Sequence, residues 1–238
     1  MDECPAAAVI CAAGSSLRMG GVKKEFQRLN PSHPLTVLGS AVSAFAAVPS
    51  VQIIVIAVNE NCEDAARMAL APGLLSAQRP EVLFVKGGES RRASVFNALC
   101  ALAPYNPHYV LIHDGARPWV SPSLIENLIE EVKKHQAVIP LLPITETPKE
   151  CGSSLEMPGT REEAVFIKTH LKRANTGVAQ TPQAFKFPEI LRAHEKAAEV
   201  EGEEFTDDAE IWGRFCGTVA VIPGSPENRK ITFTQDFG

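Results

Sequence analysis

The chain has 238 residues, of which 45% are hydrophobic and 21% are charged, an ordinary composition for a globular protein. This length predicts a single domain, residues 1–238, with a sizeable core. The net charge of −5 argues against the strongly basic surface that nucleic-acid binding requires. We therefore interpret local groups of basic residues as sites for small anions.

The six cysteines are scattered, and none belongs to a C-x-x-C pair. This pattern favours reduced cysteines over zinc ligands or a disulfide framework. Asp2 and Glu3 precede only a short apolar run, which is not the pattern of a signal peptide. No apolar stretch approaches the ~20 residues of a membrane span. We expect a cytoplasmic protein that does not bind membranes.

Apolar runs of strand length recur along the chain, at 6–13, 51–58, 81–85, 109–113, 137–142 and 218–222. Helical patterns lie between them, and the clearest begins with Ser121 as N-cap and Pro122 at the first helical position. Apolar strands that alternate with helices predict an α/β fold with a mostly parallel sheet. Ligands of such sheets bind beyond the C-terminal ends of the strands.

The first apolar run opens into a loop of small and basic residues. The run ends at Gly14, and Arg18, Lys23 and Lys24 follow. Small residues let backbone N–H groups approach an anion, and the cations can neutralise phosphate charge. Neither a Walker loop nor the dinucleotide pattern G-x-G-x-x-G is present. The stretch predicts a triphosphate site, and the alternative is a solvated basic loop.

The sequence GGESRRASV follows the third apolar run. Gly87 and Gly88 predict a tight turn, and Arg91 and Ser94 open the next helix, whose N-terminus favours an anion or a polar base edge. Adjacent arginines at a helix start are unusual, because the helix dipole disfavours cations there. We interpret Arg91 and Ser94 as substrate-binding residues, with a plain strand–turn–helix junction as the alternative.

The sequence HDGARP follows the fourth apolar run. It places Asp114 at the C-terminal end of a strand, beside Arg117, where a carboxylate is suited to hold Mg²⁺ or substrate hydroxyls. The alternative is a turn with a structural Asp–Arg pair.

Three later segments are less specific. Residues 143–175 are poor in apolar side chains and predict a protruding hairpin that packs on a partner subunit, or else a disordered surface loop. Residues 206–208 begin a helix, where an N-cap role is favoured over a ligand role. Lys230 is predicted to lie in a short strand near the C-terminus.

These motifs occur in one order, as AAGSSLRM, a Lys before Glu25-Phe26, GGESRRASV, HDGARP, QTPQAF, TDDA and NRKIT. Over nearly the whole chain they resemble the 2-C-methyl-D-erythritol 4-phosphate cytidylyltransferase family of the non-mevalonate isoprenoid pathway. The resemblance implies a Rossmann-like sheet of the nucleotide-diphospho-sugar transferase type with a protruding β-arm. It also implies transfer of a cytidylyl group from CTP to the polyol phosphate with Mg²⁺, in a homodimer whose arms complete the partner's site.

Site residues follow from the resemblance, position by position. Arg18 and Lys24 match the pair that clamps the triphosphate and stabilises the transition state, with Lys23 where the family usually has Pro. The CTP-binding positions are Ala12, Ala13, Gly14, Gly88, Glu89 and Ser94. Asp114 and Arg117 match residues near the metal and the polyol. The polyol-phosphate contacts, some of them made across the dimer, are Thr147, Arg173, Thr206 and Lys230, and we count Arg173 and Lys230 as catalytic.

Two other functions remain open. Ribitol 5-phosphate cytidylyltransferases share most motifs, but Ala-Ala-Gly and HDGARP favour methylerythritol phosphate over ribitol phosphate as the acceptor. An inactive nucleotidyltransferase-like module for sensing or assembly is the other alternative. Retention of Arg18, Lys24 and Lys230 around one cleft argues against an inactive copy.

Overall fold

A computed structural model of the protein describes residues 6–14, 23–30, 32–76, 80–152, 165–200, 202 and 204–237. The strands among these residues are β1 Ala6–Ala12, β2 Val51–Val58, β3 Glu81–Lys86, β4 Tyr109–Asp114, β5 Ala137–Pro143, β6 Lys149–Cys151, β7 Ile167–His170, β8 Gly177–Ala179, β9 Gln183–Lys186 and β10 Ala220–Pro223. The α-helices are α1 Val37–Ala46, α2 Glu63–Ala69, α3 Arg91–Leu102, α4 Pro122–His135, α5 Phe187–Glu199 and α6 Asp208–Phe215.

One eight-stranded sheet forms the centre of the molecule, in the order β10-β5-β9-β4-β1-β2-β3, with β8 paired to β5. The pairs β1–β2, β1–β4, β2–β3 and β5–β10 are parallel. Strands β8 and β9 run antiparallel to their neighbours. The predicted α/β fold with a mostly parallel sheet is confirmed.

Alternate residues of β1 pack on opposite faces of the sheet, because successive strand side chains point to opposite sides. Ala8 and Ile10 join a core with α1, α2 and α4 on one face. Ala7 and Val9 join a second core with α3, α5 and α6 on the other face. Since both faces are covered, β1 is apolar throughout, which is why its sequence reads as a continuous run.

The sequence predicted α4 correctly at its start. Ser121 Oγ accepts a hydrogen bond from the backbone N–H of Leu124 at 3.2 Å, and Pro122 occupies the first turn. The helix ends at His135, and its C-cap Gln136 adopts a left-handed conformation with φ of 64°.

In its described residues, the second half of the chain contains two strands that the sequence did not predict and lacks one that it did predict. Strands β8 and β9 were not predicted, because Gln183 begins β9 with a polar side chain and both strands have only three or four residues. The predicted strand around Lys230 is absent from the described residues. The backbone N–H of Ile231 donates to Ala116 O at 2.9 Å, but residues 228–232 adopt no strand conformation.

Part of residues 143–175 forms the predicted arm. Strands β6 and β7 pair antiparallel as a separate two-stranded sheet, in which Lys149 lies opposite His170.

Within the described ranges, no helix has the length and apolar character needed to cross a membrane.

Candidate active site

Among the described residues, a cleft lies along the C-terminal ends of β1–β4, as the fold class predicts. Its volume is about 1150 Å³, slightly above the usual range for a small-molecule pocket, and this leaves room for a nucleotide and a second substrate. Its walls come from the end of β1, the short helical turn Lys24–Phe26, the β3–α3 turn, the end of β4 and the segment that follows β10.

Most of the predicted site residues converge on this cleft. Those that line it are Ala13, Gly14, Lys24, Gly88, Glu89, Arg91, Ser94, Asp114 and Lys230. Ala12 is a buried strand residue below the lining, and Arg117 lies behind Asp114. Arg18 lies outside the described residues.

The β3–α3 turn is held tightly against β1. A Cβ on Gly87 would collide with the Cβ of Ala13, and one on Gly88 would collide with Ala93. Ser94 Oγ accepts from the N–H of Gly88 at 3.0 Å and donates to Ser90 O at 2.9 Å. The glycines are therefore required by close backbone approach, and the turn is a rigid wall of the cleft.

The two adjacent lysines of the first loop have different positions. Lys24 lines the cleft. Lys23 is not among the residues that line it, and its Nζ donates to the carbonyl of Gly14 at 2.6 Å. That Lys24, and not Lys23, contacts the substrate stays a prediction.

Asp114 is the centre of an ion cluster at the end of β4. Lys230 Nζ donates to its Oδ2 at 2.8 Å, Arg91 Nε lies 3.4 Å from Oδ1, and Arg117 Nε lies 3.7 Å from Oδ2. Burial alone would raise the pKa of Asp114. The positive charges of Lys230 and Arg91 have the larger, opposite effect, so the net pKa lies well below its usual value. The surrounding cations therefore favour the ionised form of Asp114.

The backbone of Asp114 is fixed by its neighbours. Its N–H donates to Thr181 Oγ1 at 3.1 Å, so the hydroxyl proton is free to go to His113 Nδ1, 3.1 Å away. His113 Nε2 then carries a proton and donates to Arg117 O at 3.1 Å. Burial lowers the pKa of His113 to about 4, which keeps the ring neutral in this chain of hydrogen bonds.

Gln180 places Lys230 beside Asp114. Its Nε2 donates to Ser225 O at 2.8 Å and to Asn228 O at 3.1 Å, while its Oε1 accepts from Ser225 N at 3.1 Å. Asn228 Nδ2 in turn donates to Thr181 O at 2.8 Å. These side-chain bonds fold the segment after β10 back onto the sheet edge, and Lys230 follows directly.

Arg91, which was predicted to bind substrate, also links two carboxylates beneath the cleft. Its Nη1 lies 2.8 Å from Asp208 Oδ2, so its guanidinium joins Asp208 to Asp114. This pairing explains how a cation is tolerated at the start of α3. Arg91 lines the cleft, yet its described bonds are all to protein carboxylates.

The TDDA motif divides into two roles. Asp207 is the N-cap of α6, and its Oδ1 accepts from Glu210 N at 2.9 Å, as predicted. Asp208, for which no separate role was predicted, is wholly buried and pairs with Arg91 and His194. The sequence feature that could have revealed this buried role is that Asp208 lies on the same apolar face of the helix as Ile211 and Trp212.

The arm residues lie away from this cleft. Thr147 and Arg173 are exposed, and Arg173 Nη1 donates to Thr145 O at 2.9 Å within the arm. Thr206 Oγ1 donates to Glu210 Oε2 at 2.8 Å next to α6. None of the three lines the described cleft of its own chain.

Cys11 lies on the floor of the cleft, and burial raises the pKa of its thiol to about 12. A neutral thiol is a poor nucleophile, so the site is not arranged for covalent catalysis by cysteine.

In the described part of the chain, no group of three or more His, Cys, Asp or Glu side chains could hold a metal ion by itself.

The Arg91–Asp208 pair predicts a difference between the two adjacent arginines. Arg91→Ala leaves the buried Asp208 carboxylate without its cation and should lower the free energy of unfolding by about 3–5 kcal/mol. Arg92→Ala is the matched control, since Arg92 has no ion pair with any described residue, and should change it by less than about 1 kcal/mol. Urea denaturation measures both, and equal losses would contradict the assigned role of Asp208.

The sequence profile of the 2-C-methyl-D-erythritol 4-phosphate cytidylyltransferase family (IspD) matches residues 6–238. The bifunctional enzyme IspD/IspF of Bradyrhizobium sp. (strain ORS 278) is 40% identical over 233 residues, which are 97% of this chain and 54% of that protein. That of Bartonella henselae is 35% identical over 231 residues, again 97% and 54% of the two chains. The chain thus spans about half the length of these curated relatives.

Solved structures agree with the sequence comparison. The 4-diphosphocytidyl-2C-methyl-D-erythritol synthase of Anaerococcus prevotii has a TM-score of 0.76 and 28% identity, over 98% of this chain and 94% of that one. The 2-C-methyl-D-erythritol 4-phosphate cytidylyltransferase of Francisella tularensis has a TM-score of 0.72 and 27% identity, over 98% and 96%. This chain belongs to the 2-C-methyl-D-erythritol 4-phosphate cytidylyltransferase (IspD) family.

Proposed function

We propose that this chain transfers the cytidylyl group of CTP to 2-C-methyl-D-erythritol 4-phosphate and releases pyrophosphate. The observation that carries the proposal is the cleft in which Lys24, the Gly88–Ser94 turn, Asp114 and Lys230 meet. The cleft is large enough for two substrates, and the chain belongs to a family named for this reaction.

The nucleotide occupies the end of the cleft nearest β1 and β3. The rigid turn at Gly88 offers backbone groups and the start of α3 to the cytosine ring. The triphosphate lies over Gly14 and Lys24, where a fixed cation stabilises negative charge that develops on the α-phosphate. Arg18 completes this phosphate clamp in the proposal.

The acceptor phosphate lies next to Lys230, at the end of β4. One of its oxygens attacks the α-phosphorus of CTP, a new P–O bond forms, and the bond to the β-phosphate oxygen breaks. The bonding electron pair of the broken bond stays on that oxygen and leaves with pyrophosphate, so no protein nucleophile and no proton transfer is needed. Catalysis then rests on alignment of the two substrates and on charge stabilisation.

Mg²⁺ is part of the proposal. Mg²⁺ commonly keeps several waters and binds one or two carboxylates together with substrate phosphates, so a single ionised carboxylate at the cleft fits it. Asp114 supplies that carboxylate, and its Oδ1, whose nearest described cation is 3.4 Å away, is the less engaged oxygen. The bound metal would neutralise part of the triphosphate charge.

A homodimer is also part of the proposal. Phe166, Ile167 and Val178 of the arm region are 77%, 51% and 54% exposed, an apolar surface of the kind that marks protein interfaces. The exposed Thr147 and Arg173 then reach the site of the partner subunit.

Because the described cysteines are all free thiols, we place this assembly in the reducing cytoplasm.

The reaction is tested by pyrophosphate release from CTP and Mg²⁺ with each acceptor. We expect turnover with 2-C-methyl-D-erythritol 4-phosphate and much slower turnover with ribitol 5-phosphate at the same concentration. Faster turnover with ribitol phosphate would overturn the choice of acceptor. No release with either acceptor, from folded protein that still binds CTP, would favour the inactive module.

Lys24 and Lys23 make a matched pair for testing the phosphate clamp. Lys24→Ala should lower kcat by roughly 10²- to 10³-fold, because it removes transition-state charge stabilisation. Lys23→Ala loses only the bond to Gly14 and should cost far less. Steady-state kinetics gives kcat for both variants. A larger loss of kcat for Lys23→Ala would show that the phosphate-binding role belongs to Lys23 and not to Lys24.

The role of the arm is tested by subunit complementation. Lys24→Ala and Arg173→Ala proteins, each nearly inactive alone, are mixed and allowed to exchange subunits. If Arg173 acts across the two-fold axis, one site of each mixed dimer contains both lesions and the other contains neither. Activity should then recover to about a quarter of wild type, since about half of the dimers are mixed.

Two results would contradict the complementation argument. If mixing restores nothing although subunits exchange, Arg173 serves its own subunit. If light scattering at micromolar concentration gives a monomer, the arm does not form a dimer interface. Lys172→Ala is the control for loss of a neighbouring exposed cation, and it should need no complementation.

A further inference from the structure

A buried polar pair lies behind the cleft and is not used by the proposed reaction. Asp208 and His194 are both 0% exposed, and His194 Nε2 lies 3.1 Å from Asp208 Oδ1. The other carboxylate oxygen lies 2.8 Å from Arg91 Nη1, and Arg91 Nε faces Asp114. A continuous polar chain therefore runs from the α5–α6 contact to the carboxylate in the cleft.

The direction of the His194 hydrogen bond is fixed by chemistry. A carboxylate only accepts, so His194 Nε2 donates to Asp208. His194 Nδ1 is buried, and it has no hydrogen-bond partner among the residues that the structure describes. The protein thus tolerates one unsatisfied ring nitrogen in order to keep a single donor directed at Asp208, a costly arrangement if packing were the only requirement.

Packing of α5 on α6 does not need this pair. Ile190 and Ala193 of α5 already share an apolar core with Ile211 and Trp212 of α6. A buried ion pair is at best a weak source of stability compared with apolar residues of the same size. The ion pair between Asp208 and Arg91 instead fixes the orientation of the Arg91 guanidinium. Asp208 holds one edge of this group, while another edge faces Asp114.

We infer that Asp208 and His194 are positioning residues that act through Arg91 on the carboxylate of Asp114. Arg91 Nε lies 3.4 Å from Oδ1 of Asp114, while Lys230 Nζ contacts the other oxygen, Oδ2, at 2.8 Å. Without Asp208, the guanidinium has only Asp114 as a carboxylate partner and moves towards it. Asp114 then shifts relative to Lys230, at the place where the proposed function puts the acceptor phosphate.

The test compares His194→Gln, which keeps an amide donor, with His194→Leu, which removes it at similar volume. Because a displacement of about 1 Å can cost as much as 10²-fold, His194→Leu should lower kcat by roughly 10- to 100-fold with the KM for CTP nearly unchanged. His194→Gln should keep most of the wild-type kcat. Asp208→Asn, which turns an amide donor towards Arg91, should behave like His194→Leu.

The path through Arg91 is tested in an Arg91→Lys background. There the difference between His194→Gln and His194→Leu should disappear, because residues that act as a unit are not additive. A difference that persists would show that His194 does not act through Arg91. Equal kcat values for folded His194→Leu and wild-type protein, with only the melting temperature lowered, would show a purely structural role and overturn the inference.

A readout without substrate separates this inference from the proposed function on which its kinetic part rests. The Arg91 Nε–H signal in a ¹⁵N NMR spectrum, assigned by its loss in Arg91→Lys, should move in Asp208→Asn and His194→Leu but stay in place in His194→Gln. An unchanged signal in Asp208→Asn would overturn the inference even if the enzyme is active. Absence of turnover in wild type with a responsive signal would instead overturn only the reaction.

Discussion

The site depends on one carboxylate that is held among three cations. Asp114 stands at the end of β4, opposite Cys11 of β1, where the parallel strands bring their C-terminal ends together. An ionised carboxylate at this depth is stable only if cations and hydrogen-bond donors compensate the loss of water. Lys230, Arg91 and Arg117 supply that compensation, and each comes from a different part of the chain. The same pairing that keeps Asp114 ionised therefore fixes the cations around the cleft.

Each cation has its own support. Arg117 Nη1 donates to Asn228 O at 2.7 Å, and Gln180 reaches the same carbonyl, so the segment that carries Lys230 is tied to the loop after β4. Arg91 is held from behind by Asp208. Positioning and electrostatics are the means by which a nucleotidyl transfer without a protein nucleophile is accelerated. A rigid polar scaffold beneath the cleft is consistent with that requirement.

The strands and the main site motifs could be predicted because they depend on local chemistry. The apolar run of β2 was predicted over the whole of Val51–Val58, and the end of β4 was predicted to present Asp114. The remainder depends on contacts between distant residues. Gln180 and Asn228 are 48 positions apart, and Arg91 and Asp208 are joined only after three helices pack. Short antiparallel strands such as β9 also lack a periodic signal, because four residues are too few to establish one.

The claim that Asp114 and Lys230 act as one unit is tested most directly by a double-mutant cycle on kcat/KM for the acceptor. The variants are Asp114→Asn, Lys230→Met and their combination, each verified as folded by circular dichroism. If the ion pair positions Lys230, the double variant should be about as slow as the slower single variant, because the second change removes an interaction that is already lost. Multiplication of the two single effects would contradict the account, since it would mean that the two side chains contribute independently.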